Sequence, residues 1–164
     1  MKSRFLICLA VVGMVSCAGR ILKAADTAAI DAKIKQASEY LSKPEQEEGG
    51  VRGLKLLTEA IALAAPETGF PSEFSEKISA AGKEFLPGAL SLEDGAGLLQ
   101  ESYRLINHGK DFQMPPSISS MEQAKEYVRI QTDKARSYLA QGKTAEFARA
   151  LLEVALMIVT PIIR

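Results

Sequence analysis

Acid–base, nucleophilic and metal chemistry draw on histidine, cysteine and converging carboxylates, and this chain has few such residues, widely separated. His108 is the only histidine, in the stretch INHGKD. Standing alone, it reads as a helix-end residue beside the terminal carbonyls, where positive charge is favoured. The cysteines are Cys8 and Cys17, too few with one histidine to assemble a four-ligand zinc site. No C-x-x-C-H haem attachment and no Glu-x-x-His pair of the di-iron carboxylate bundles occurs. The nucleophile elbow G-x-S-x-G and the phosphate loop G-x-x-x-x-G-K-[ST] are absent as well. GALSLEDGAG is glycine-rich but lacks the preceding strand of a dinucleotide site, so it reads as a cap and turn. Glu47-Glu48 reads as part of a solvated loop and Glu93-Asp94 as a helix N-terminus, rather than as acid–base pairs. The sequence therefore assigns no catalytic residue, no metal ligand and no cofactor. An enzyme working with Asp, Glu, Lys and Tyr alone is the least favoured reading.

Cys17 carries a different chemistry. Lys2 and Arg4 precede an uncharged run from Phe5 to Val15, the n-region and h-region of a signal peptide. Those 11 residues are fewer than the roughly 20 needed to cross a bilayer core. Met14-Val15-Ser16-Cys17 resembles the lipobox of bacterial lipoproteins, with methionine where leucine is usual. The resemblance implies cleavage after residue 16 and lipidation of Cys17, which would place the protein on a membrane surface facing the periplasm. The small residues Ser16 and Ala18 also permit ordinary cleavage after Ala18, which would release the protein into the periplasm or outside the cell. Residues 1–16 are thus expected as signal peptide, 17–25 as tether, and 26–164 as one folded domain. Lys2 and Arg4 leave with the signal, so 20 basic side chains fall to 18 against 20 acidic ones, a charge near minus two. That balance offers nucleic acid no electrostatic footing. Cys8 leaves too, so no internal disulfide forms and stability must come from packing.

The elements that would position any site are helices. From Asp26 onward apolar residues recur at spacings of three and four, with no strand-like alternation, and 47% apolar content suits a globular domain. Six segments are predicted. The first spans Thr27–Ser42, with Ile30, Ile34, Ala37 and Leu41 on one face and Asp26 or Thr27 as cap, and the polar loop KPEQEEGG follows. The second spans Val51–Ala65, the third Ser72–Phe85 with Phe74, Ile78, Ala81 and Phe85 inward. The fourth opens at Ser91 and breaks at Asn107 and Gly109. The fifth opens on a capping box starting at Ser119 and buries Ala124, Val128, Gln131, Ala135 and Tyr138. Thr144 caps the sixth, AEFARALLEVALMIV, which is apolar nearly all round and should be the most buried. Short links imply antiparallel neighbours, giving stacked helical hairpins or a bundle.

Two stretches echo one another. ASEYLSK (37–43) and ARSYLAQ (135–141) share alanine, tyrosine and leucine at the same spacing. LLTEAIALAAP (56–66) and LLEVALMIVTP (151–161) share Leu-Leu, an alanine and the final proline. A helix with A-x-x-Y-L followed by one with L-L, a small alanine and a terminal proline resembles the tetratricopeptide class of helical-hairpin repeats. The resemblance implies a protein-binding hairpin stack, while two amphipathic hairpins rich in Ala and Leu would share these letters without common descent. The expected function is a non-catalytic binding or adaptor module of the cell envelope, with a protein partner and a membrane anchor through Cys17. The alternative is a small helical carrier with a hydrophobic ligand in its core.

Overall fold

Apolar residues repeating every three or four positions can be hidden together only on one face of a helix. The computed structural model, which describes residues 22–42, 47–86 and 92–160, arranges them so. Among the described residues there are six α-helices and no strand: α1 (Ala24–Leu41), α2 (Glu47–Ala64), α3 (Ser72–Glu84), α4 (Leu92–Ile106), α5 (Met121–Ala140) and α6 (Thr144–Val159). A 3-10 turn at Ala65–Glu67 continues α2. The all-α class and the number of helices agree with the periodicity of the sequence. Cys17 and the expected signal lie outside the described residues, as do Pro87, Gly88, Ser91 and Pro161.

The helices pair as three antiparallel hairpins, α1 with α2, α3 with α4, and α5 with α6. In the first, Leu41 meets Gly53 while Lys33 pairs with Glu59 further along. In the second, Phe85 meets Gly95 while Lys77 reaches Glu101 at 2.6 Å. Helix α2 also packs on α3 and α6, and α4 packs on α6. The core lies between them: Ile34, Leu54, Ile61, Phe74, Leu99 and Phe147 are all fully buried. Each such side chain contributes about 1.5–3 kcal/mol when withdrawn from water. As expected, α6 is buried nearly all round, from Phe147 through Leu151, Leu152 and Ala155 to Val159. No described helix is long and apolar enough to cross a membrane.

The local starts and stops differ from expectation in several places. Helix α1 begins at Ala24, inside the expected tether, with Lys23 as N-cap and no side-chain cap. The Thr27 hydroxyl donates backwards to the Lys23 carbonyl at 3.2 Å. Glu47–Gly50, read as loop, is the first turn of α2, and Glu48 there pairs with Arg52 one turn on at 2.9 Å. Carboxylates are favoured at a helix N-terminus, and this offsets the poor helix propensity of Gly49-Gly50. The capping box of α5 is one residue later than expected: Ser120 Oγ accepts from Gln123 N at 3.2 Å, and Gln123 Oε1 accepts from Ser120 N at 3.2 Å. Thr144 does not cap α6. Its hydroxyl donates to the Glu67 carbonyl at 2.7 Å and ties the last hairpin to the end of the first.

A candidate partner-binding cleft

Helices α1 and α5 run side by side yet touch sparsely. They meet where Arg136 Nε donates to Asp31 Oδ1 at 2.8 Å, with Lys35 Nζ on the other oxygen at 2.9 Å. Hydrogen bonds from Lys35 and Arg136 hold the Asp31 carboxyl below the usual carboxylate range. From that junction the two helices separate and leave an open cleft of about 1250 Å³.

The cleft is built mainly from α1, α5, α6 and the loop before α5, with Gly50 of α2 at its edge. Helix α5 supplies Met121, Ala124, Val128 and Thr132, with Lys125 and Arg129 along the edge. Helix α1 supplies Ser38, Leu41 and Ser42, and α6 supplies the floor at Met157, Ile158 and Thr160. Met114 and Ile118 close it from the loop before α5. Every methionine after Met14 is thus a wall of this one cleft, and Met121 is 68% exposed. Methionine is flexible and polarisable and adapts to differently shaped apolar partners. Of the residues expected inside, Ala135 is buried, Val128 and Tyr138 pack half-buried against the core, Gln131 is half-buried, and Ala124 and Val128 also line the cleft, while α5 further buries Thr132 and Leu139.

The rim is charged. Arg129 is held by Glu126 at 2.6 Å and lies 3.5 Å from Asp133. Lys125 and Glu39 carry no ion pair among the described residues, so they are open to a partner. A smaller cavity of about 400 Å³ lies between α2 and α3, lined by Lys55, Thr58, Ile78 and Gly82. Its carboxylate, Glu59, is already bound to Lys33.

His108 has no catalytic setting. It is exposed and adopts a left-handed backbone with φ 55°, followed by Gly109 at φ 77°. Gly109 N donates to the Arg104 carbonyl at 2.9 Å, the long bond of a Schellman cap. The cap is thus made by the backbone at His108, and the side chain serving a terminal carbonyl belongs to Asn107, whose Nδ2 donates to Tyr103 O at 3.0 Å. Among the described residues, no three of His, Cys, Asp and Glu gather closely enough to hold a metal ion. Glu93 and Asp94 sit in the exposed first turn of α4. One turn before Met157 on α6, burial pushes the Glu153 carboxyl above its usual range, and the phenols of Tyr103 and Tyr127 are likewise raised.

The echoed positions occupy matching places in the first and third hairpins. Ala37 and Ala135 are fully buried, as are Ala60 and Ala155. Tyr40 lies under the Arg52 guanidinium at 6.0 Å, and Tyr138 under the Lys143 ammonium at 6.0 Å. No protein-family model matches the chain, and no curated protein or solved structure matches it. The fold defines an all-α protein of three antiparallel helical hairpins.

Proposed function

We propose that this protein is an exported, lipid-anchored binding module of the cell envelope, without catalytic activity, which holds a protein partner in the cleft between α1 and α5. One observation carries the reading: an open apolar cleft on a helical frame, lined by Met114, Met121 and Met157 and by no histidine or cysteine. Its volume exceeds the roughly 300–1,000 Å³ usual for small-molecule sites, and its open, flexible walls suit a macromolecular surface. The paired alanines and tyrosines of the first and third hairpins support a tetratricopeptide-like origin for the frame.

The anchor rests on Met14-Val15-Ser16-Cys17. Two acyl attachments would hold the domain on a membrane far more firmly than a single chain would. Mass spectrometry of the mature N-terminus tests it: a lipidated Cys17 is expected, lost in Cys17→Ser, and an unmodified terminus at Gly19 refutes it. Site-specific cross-linking from position 121 tests the binding reading. A discrete adduct is expected from native protein and none from Val128→Glu, whereas an adduct indifferent to Val128 counts against the cleft. The carrier alternative draws on the same apolar lining, and uptake of a fluorescent fatty acid that Val128→Glu abolishes would favour it.

A further inference from the structure

Resting on the binding reading above, we infer that the cleft accepts one amphipathic helix of about four turns whose apolar stripe is flanked by acidic residues. The wall that α5 presents runs from Met121 to Arg136 at spacings of three and four, which is the period of a helix face made to meet another helix. Fifteen steps of 1.5 Å give a wall about 22 Å long, or roughly four turns. Opposite stands the C-terminal half of α1, and the end of α6 forms the floor. A helix laid there would touch three neighbours, as α2 and α6 do in the core, and would cover Met121 and Val128.

The charge of the occupant follows from the rim. Of the lining charges at the α5 edge, Lys125 and Arg129 stand against Asp133, with Glu39 on α1. Arg136 and Lys35 are committed to Asp31 at the narrow end. Lys125 is unpaired among the described residues, and Arg129, whose side chain is 64% exposed, can trade its local partners for new ones. Both stand beside the apolar stripe at the wide end, so acidic residues next to the occupant's own stripe would meet them.

Two designed 16-residue helical peptides, each with leucines at i, i+3 and i+4 spacing but with either glutamate or lysine flanks, test this by titration against the purified protein. The glutamate-flanked peptide should bind about tenfold more tightly at low salt, with the advantage shrinking as salt rises. Charge reversal at the exposed pair, Lys125→Glu with Arg129→Glu, should invert the order, and Val128→Glu should abolish both, with circular dichroism showing each variant folded. Equal affinities, no binding, or binding unmoved by Val128→Glu overturns the inference. If the cross-link described above still depends on Val128 in that case, the binding reading stands and only the acidic helix falls. Sedimentation showing a dimer that Val128→Glu dissociates, or displacement of the peptide by a fatty-acid probe, would instead assign the cleft to a second copy or to lipid, and would likewise overturn it.

Discussion

Arg136 on α5 donates to Asp31 on α1 at 2.8 Å, joining residues 105 positions apart in the chain. The pair marks the junction between the first and third hairpins, and the cleft opens beyond it. Its side chains are 30–40% exposed, so Asp31→Asn or Arg136→Met should cost only about 0.5 kcal/mol of stability. Because the Asp31 carboxyl is held below its ordinary 3.8 by Lys35 and then Arg136, the contribution is present above that pH and is lost as pH falls through the lower folded value. Urea unfolding of both single variants and the double at pH 6 and pH 3 should show coupling at the first pH that fades at the second.

Gly95 and Gly97 lie two residues apart in α4, on nearly opposite faces, and should respond oppositely to alanine. A Cβ at Gly95 would meet the Phe85 ring at 2.6 and 2.8 Å, whereas one at Gly97 meets nothing within 4 Å. Phe85 is fully buried and cannot swing away. Gly95→Ala should therefore destabilise by about 1–3 kcal/mol through overpacking, and Gly97→Ala should stabilise by up to about 1 kcal/mol through helix propensity. Thermal melts of the two variants measure this, and a Gly95→Ala protein as stable as the parent would refute the packing of α3 on α4.

His108 occupies a left-handed position that glycine would fill without strain. His108→Gly should raise stability by about 1 kcal/mol, with the cap bond from Gly109 to Arg104 kept. A histidine needed for chemistry would instead make that variant inactive while better folded, so binding measured beside stability separates the two roles.

Glu153, within α6, is pushed above its usual range by burial, with Lys134 and Arg149 only partly countering this. A raised folded value means that its stabilisation is present below the ordinary 4.5 and is lost as pH rises through the folded value. Glu153→Gln should thus stabilise at pH 7, on the order of 0.5 kcal/mol given its partial solvation. The gain should vanish near pH 4, and a variant weaker than the parent at pH 7 would overturn this account.

Much of the fold is legible along the chain because helix formation is written locally. The third segment shows it best: Phe74, Ile78, Ala81 and Phe85 recur at helical spacing, and all four are buried. Caps were less legible, since Ser, Thr and Asp near a helix start compete for one role. Ser119 and Ser120 both fit a capping box, and only the helix entry selects Ser120. Thr144 looked like a cap because its attraction to Glu67, 77 residues earlier, has no trace in nearby sequence. The cleft left one faint signal, the three methionines at 114, 121 and 157, scattered over a loop, a helix start and a core helix.

By itself the sequence determined six helical segments and a last helix apolar nearly all round. A period of three and four residues obliges a chain to hide one face of each helix. It does not say against what. Tertiary structure decided that α5 buries Thr132, Ala135 and Leu139 and leaves Ala124 and Val128 lining a cleft, because α5 packs mainly on α6 and touches α1 only sparsely. Closeness of helices depends on pairs from different helices or their ends, such as Gly95 with Phe85, ten residues apart, or Arg136 with Asp31, 105 apart. Packing between such pairs, rather than local propensity, leaves an apolar face covered in one hairpin and open in the next.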